Sequence, residues 1–236
     1  MKAFLLAAGE GTRLRPFTST TPKCLLPIGG IPLLEIWYRH LERSGVTDVL
    51  INVHHFADHV GDFIRQLQTT IKTRVAFEPK LLGSAGTIRE NRDFVRGDDF
   101  FLIIYTDGLT TMPLEPLLRI QQKHHPVLTM GLFHTDIPKE SGIVTLDPEG
   151  LILDFTEKPS NPIGDLSNTG IMAASPRLFD FIPKTNFCDL SYTVIPRLIG
   201  KMRGVVTDHF FIDIGNLANY KAAQRKWKSI KRLMGY

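Results

Sequence analysis

The sequence predicts an α/β fold: a Rossmann-like, mostly parallel (mixed) sheet flanked by helices, with a smaller β-rich subregion in its second half. Three observations carry this. Short apolar, β-rich runs alternate with segments of helical spacing across the first half, the pattern of βαβ units. The run FFLIIY, Phe100–Tyr105, is near-continuously hydrophobic, as a strand covered on both faces must be. After Pro138 the helical patterns thin out, and short strands separated by turn residues take over.

Taken in order, Lys2–Ala8 is the first strand and runs into Gly9 and Gly11. Leu33–Ser44 has helical apolar spacing and is closed by Gly45. Val49–Val53 reads as a strand, Ala57–Gln68 as a helix and Arg74–Phe77 as a strand. Gly86–Phe94 is a helix, Phe100–Tyr105 a strand, Leu114–His124 a helix stopped by Pro126, and Val127–Phe133 a strand. Ile143–Leu146 and Leu151–Phe155 flank DPEG and read as a hairpin; Gly170–Ala173 adds a strand. A helix over Leu190–Gly200 and a strand over Thr207–Ile212 follow. Lys221–Tyr236 reads as an amphipathic helix, with Trp227, Ile230 and Leu233 near helical spacing. With no repeat, low-complexity tract or linker, one domain over 1–236 is the expectation: a core over about 1–130, a second part over about 131–220, and the basic helix 221–236.

Composition excludes several classes. At 236 residues, 43% hydrophobic and 22% charged, the chain is of ordinary globular type. Met1–Ala8 is too short for a signal-peptide core, and no apolar run reaches the length of a membrane span. Cys24 and Cys188 lie in unrelated contexts; they suggest neither a disulfide framework nor a structural metal site, and they fit a reducing cytoplasm. The net charge of +4 is concentrated: Lys221–Tyr236 holds six Lys and Arg and no acid, leaving 22 basic against 24 acidic residues elsewhere. No nucleic-acid footprint is expected from such a body; the tail reads first as a solvated helix docked by its apolar side, or else as a contact for anionic lipid or a partner. His54, His55, His124 and His125 come as adjacent pairs, which do not converge on one metal.

The chemistry points to the stretch LLAAGEGTRLRPFTSTTPKCLLP, Leu5–Pro27. Glycines after a first strand let backbone N–H groups approach phosphate closely. The dinucleotide fingerprint fails, because Leu14 stands where its third glycine belongs. The P-loop fails for want of a closing Gly-Lys-Ser/Thr. What remains is flexible backbone over Gly9–Thr12, a guanidinium at Arg13 and an ammonium at Lys23, a set suited to a triphosphate.

This stretch resembles the signature of the sugar-1-phosphate nucleotidyltransferases, or nucleoside-diphosphate-sugar pyrophosphorylases. Later landmarks of that family stand in order: EPKLLGSAGTI, YTDGL, SGIVTLD, DFTEKP, SNTGIM and FIDIGNLANY. The resemblance implies transfer of a nucleotidyl group from an NTP to a sugar 1-phosphate, with release of pyrophosphate and with Mg2+ as cofactor. It implies a nucleotide site of Leu6, Ala7, Ala8, Gly9, Gly11, Thr12, Arg13, Lys23, Glu78, Gly83, Ser84 and Asp107, with Arg13 and Lys23 catalytic. It implies metal carboxylates at Asp107 and Asp213, each at a strand end where α/β sheets place ligands. A sugar-phosphate site would comprise Gly142, Glu157, Lys158, Asn168 and Thr169. EPKLLGSAG is similar in form to the base loops of short guanylyltransferases, so GTP with mannose 1-phosphate or D-glycero-D-manno-heptose 1-phosphate is favoured, and uridylyl or thymidylyl transfer to another sugar phosphate is the alternative. A catalytically silent, nucleotide-sugar-sensing subunit is a reading of another class; it predicts loss of Arg13, Lys23, Asp107, Lys158 or Asp213, and all five are present. The protein would act as a monomer or homodimer. One departure from the family pattern is Thr106, where Gly is usual, and the expectation is that it narrows the pocket near the ribose or sugar.

Overall fold

The computed structural model describes residues 1–236. Its elements, in chain order, are β1 (Lys2–Leu6), β2 (Pro27–Ile28), β3 (Ile31–Pro32), α1 (Leu33–Arg43), β4 (Asp48–Val53), α2 (Ala57–Gln66), β5 (Lys72–Phe77), α3 (Ser84–Glu90), β6 (Phe101–Tyr105), β7 (Gly108–Thr110), α4 (Glu115–His124), β8 (Leu128–His134), β9 (Gly142–Leu146), β10 (Ile152–Glu157), β11 (Leu166–Ala174), β12 (Met202–Val206), β13 (Phe211–Asp213) and α5 (Leu217–Ile230). They form two compact units. The first takes Met1–Leu81, Tyr105–Pro113 and His209–Tyr236; the second takes Leu82–Ile104 and Leu114–Asp208.

In the first unit β1, β4 and β5 pair in parallel, Lys2 opposite Asp48 and Asp48 opposite Lys72. Ala3, Phe4, Leu5, Val49, Leu50 and Ile51 are completely buried, which is why β1 and β4 carry apolar residues at successive positions. Helix α1 buries Leu33, Leu34, Ile36, Trp37, Tyr38 and Leu41, and each large side chain so buried stabilises by roughly 1.5–3 kcal/mol. It ends at Gly45, whose φ of 77° lets its N–H return to the carbonyl of Glu42. Two short antiparallel ribbons complete the unit: β2 with β3, and β7 with β13.

In the second unit β11 runs antiparallel to β6, to β8 and, at Ser167, to β9; β9 and β10 form the expected hairpin, and β12 lies parallel to β8. The chain as a whole is the mixed α/β fold with helices against its sheet that the pattern predicted. Three predicted elements differ, the first being the C-terminal helix, expected over Lys221–Tyr236 and observed as α5, which ends at Ile230. Leu190–Gly200 is not an α-helix but a π-turn, Leu190–Val194, followed by a 3-10 turn, Ile195–Leu198, because Pro196 has no N–H with which to continue α-helical bonding. The predicted strand Thr207–Ile212 lies mostly outside any strand: β12 ends at Val206, and only Phe211 and Ile212 belong to β13.

Candidate active site

The glycine-rich loop begins where β1 ends and is held by a residue the sequence reading missed. Asn52, on β4, is a lone polar residue in the apolar run LINV and is 4% exposed. Its Oδ1 accepts the N–H of Ala7 at 2.8 Å, and its Nδ2 donates to Glu78 Oε1 at 2.9 Å. Glu78 is 3% exposed, and its carboxylate accepts from the residue that supports the loop. Thr106 acts at the same strand end: its hydroxyl and its N–H both donate to the Leu6 carbonyl, at 3.0 and 3.2 Å. The side chain that was expected to narrow a ligand pocket is folded back onto the backbone and buried.

Beyond Ala7 and Ala8, Gly9 has open space around it, whereas Gly11 adopts φ 64° and packs tightly: a Cβ there would lie 2.9 Å from Thr18 Cγ2 and 3.3 Å from Lys23 Cβ. Thr18 closes the turn by donating to the Gly11 carbonyl at 2.7 Å. Thr12–Leu14 forms a single 3-10 turn that carries Arg13.

Four charged groups converge in this unit. Lys23 Nζ lies 2.6 Å from Asp107 Oδ2 and 3.8 Å from Asp213 Oδ1. The ribbon explains the convergence: Asp213 pairs with Gly108, and the N–H of Ile214 donates to the Asp107 carbonyl at 2.9 Å, so the two carboxylates stand side by side. Gly215 donates its N–H to Asp213 Oδ1 at 2.6 Å, and a Cβ at Gly215 would lie 3.2 Å from Arg13 Nη2, which places the guanidinium beside the same carboxylate. Burial pushes the Asp107 carboxyl up, but the charge and hydrogen bond of Lys23, its own backbone N–H and Arg13 outweigh that and hold it below the usual carboxylate range. Asp213 goes the other way. Burial and the adjacent Asp107 charge push it up to about 6, against Lys23, the Gly215 N–H and Arg13. Cys24, next to Lys23, is buried, and burial pushes its thiol up to about 12, which removes it as a nucleophile.

Two carboxylates with two cations give a cluster of no net charge. Magnesium needs one or two carboxylates and takes its remaining ligands from phosphate and water, so the pair Asp107 and Asp213, already converging on one cation, fits that ion.

The remaining predicted residues lie in the second unit. Gly142 pairs with Glu157 across the hairpin. A Cβ at Gly142 would lie 2.7 Å from Glu157 Oε2 and 2.9 Å from the Phe155 ring, so only glycine leaves the carboxylate room. Burial, with Asp189 nearby, pushes Glu157 up against the opposing effects of Lys158 and a hydrogen bond from the Ser191 hydroxyl. Lys158 has φ 49°, in the left-handed region that a lysine seldom adopts, and its N–H donates to the Ser141 carbonyl at 3.0 Å. Asn168 Oδ1 accepts the N–H of Gly170 at 2.8 Å. Thr169 is buried, with its hydroxyl donated to the Gly131 carbonyl at 2.9 Å. Gly83 and Gly86 admit backbone: a Cβ on Gly83 would lie 2.4 Å from the Cys188 carbonyl oxygen, which accepts the N–H groups of Ala85 and Gly86. The Ser84 hydroxyl donates to Asp189 Oδ2 at 3.0 Å and accepts the N–H of Leu190 at 2.7 Å. Asp189 and Ser191 escaped the sequence reading, because their link to Glu157 spans more than thirty residues and leaves no local pattern.

A family model described as nucleotidyl transferase matches residues 2–229. A UTP–glucose-1-phosphate uridylyltransferase of Synechocystis sp. is 30% identical over 99% of this chain and 63% of its own length. A mannose-1-phosphate guanyltransferase of Aspergillus oryzae is 28% identical over 91% of this chain and 61% of its own. The chain thus spans about three fifths of the length of these curated relatives. Among solved structures, HddC of Yersinia pseudotuberculosis complexed with GMP-PN superposes with a TM-score of 0.81 at 23% identity, covering 96% of this chain and 99% of the other, a likeness of fold.

Proposed function

The chain belongs to the nucleotidyl transferase family, and from that premise we propose that it transfers a nucleotidyl group from an NTP to a sugar 1-phosphate, releasing pyrophosphate. The observation that carries this is the convergence of Arg13, Lys23, Asp107 and Asp213 at the glycine-rich loop. In this reaction an oxygen of the sugar 1-phosphate attacks the α-phosphorus, the bond from that phosphorus to the bridging oxygen breaks, and pyrophosphate leaves with the electron pair. The nucleophile is the substrate's own, so the protein's task is alignment and offsetting charge. Arg13 grips phosphate oxygens with its planar fork, and Lys23 places a point charge among them. Magnesium held by Asp107 and Asp213 would neutralise phosphate charge and orient its oxygens. Glu157 accepts sugar hydroxyls, and Lys158 holds the sugar phosphate.

GTP with a manno-configured sugar 1-phosphate is the favoured pair, supported by the form of EPKLLGSAG and by relatives named mannose-1-phosphate guanyltransferase. The uridylyl reading is supported by the 30% identical relative named for UTP and glucose 1-phosphate. The test is to incubate the protein with magnesium, each of ATP, GTP, CTP, UTP and dTTP, and a panel of sugar 1-phosphates, measuring pyrophosphate. Release is expected with one preferred pair, GTP leading; no release with any pair overturns the proposal.

A further inference from the structure

Helix α5 is tied to the loop that carries Lys23 by contacts the reaction does not require. The hairpin β2–β3 follows Lys23 by four residues and turns through Gly29 and Gly30, both at positive φ. At its tip the Gly29 N–H donates to Gln224 Oε1 at 2.9 Å. At its base the Pro27 carbonyl accepts both Tyr220 Oη, at 2.9 Å, and Gln224 Nε2, at 2.5 Å. The Trp227 ring closes over Gly29 so tightly that a Cβ there would lie 1.9 Å from Cδ1. Tyr220 also packs against Phe17 of the same loop, the rings tilted by 60° with centroids 5.4 Å apart. The helix that makes these contacts begins beside Asp213: Asn216 caps it by accepting the N–H of Asn219, and Asn219 Nδ2 donates to the Asp213 carbonyl at 2.8 Å.

One helix therefore ties the backbone of Asp213 at its first turn and, from Tyr220 to Trp227, the arm that carries the cluster's lysine. We infer that Gln224 is a positioning residue, with Tyr220 and Trp227 beside it, that sets where Lys23 stands relative to Asp107 and Asp213. Gln224 suits this role because its amide donates to the hairpin's base and accepts from its tip, so a single side chain fixes both position and tilt. The solvent-exposed basic residues of α5 make none of these contacts. The role in phosphate binding rests on the proposed nucleotidyl transfer; the mechanical link does not.

The test uses the full chain with Gln224→Met, which keeps the length and packing of the side chain but neither hydrogen bond, and Gln224→Glu, which keeps only the acceptor for Gly29. Hydrogen exchange is measured without substrate. In Gln224→Met the amides of residues 23–31 should exchange about tenfold faster while those of β1 and β4 do not change, with Gln224→Glu intermediate. Unchanged exchange over 23–31 would overturn the clasp, whatever the enzyme's activity proves to be. Equilibrium binding of GTP, UTP and dTTP with magnesium is then read in a cycle with Lys23→Ala. Gln224→Met should weaken the preferred triphosphate about tenfold in the wild-type background and by less than about twofold where Lys23 is already gone. Equal weakening in both backgrounds would mean that Gln224 does not act through Lys23. If no triphosphate binds the unaltered protein, the functional reading fails while the exchange result still decides the clasp.

Discussion

At the scale of single residues, placing Asp213 beside Asp107 carries an electrostatic cost to the fold. The Asp213 carboxyl is pushed up to about 6 in the folded chain, well above the value of an unfolded Asp. A carboxyl raised on folding destabilises once it ionises, so in buffers free of divalent ions stability falls as pH rises from about 4 through about 6. The Asp213 side chain is 51% exposed, so solvent screens much of this effect; Asp213→Asn, which keeps an acceptor for the Gly215 N–H, should raise Tm only slightly at pH 8, with the gain vanishing near pH 4, while pyrophosphate release is lost. A Tm difference independent of pH would remove the electrostatic account. Gly142 supplies a second residue-scale prediction. A Cβ there would displace Glu157 and the Phe155 ring, so Gly142→Ala should raise KM for the sugar 1-phosphate on the order of tenfold to a hundredfold and leave that for the triphosphate nearly unchanged. Steady-state kinetics with each substrate varied checks this. Arg13, Lys23, Asp107 and Asp213 were legible one by one, because each sits at a motif position. Asn52 was missed, since one amide in a strand of aliphatics is its only local signal and its link to Ala7 required the fold.

At the scale of elements, periodicity carried most of the first half, since α1, α2, α4 and the strands between them differ from expectation by a few residues at their ends. It was least informative where a local cue opposed it. Over Leu190–Leu198 the apolar spacing suited a helix, but Pro196 and the Asp189 cap, which accepts the N–H groups of Ser191 and Tyr192, wind the chain into a π-turn and a 3-10 turn instead. The last helix is α5, Leu217–Ile230, which starts before the basic segment. Its buried face is Tyr220, Ala223, Trp227 and Ile230, while Leu233, which was expected to join that face, is 72% exposed beyond the helix end. Trp227→Ala should accordingly cost about 3–5 kcal/mol in urea unfolding. Leu233→Asp should stay within about 0.5 kcal/mol of wild type. A comparable loss from both would show that the docking face has been misassigned.

At the scale of the whole molecule, the sequence by itself determined the class of fold, the order of most elements, the family and the set of residues that carry charge to the glycine-rich loop. These follow from short-range regularities: hydrophobic period, turn residues, and motifs that occupy a few consecutive positions. Tertiary structure alone decided that the chain forms two compact units, neither of them continuous in sequence, the first built from residues on both sides of the second. It decided that Asp107 and Asp213, more than a hundred residues apart, share one ammonium, through a ribbon of three residues a side whose β7 strand no pattern announced. It also decided that Ser84 and Thr169 direct their hydroxyls to other parts of the second unit, and that α5 grips the arm of Lys23. The reason is physical. A residue's neighbours along the chain fix its backbone preference, but its hydrogen-bond partners and its pKa depend on which distant segments burial and strand pairing bring against it.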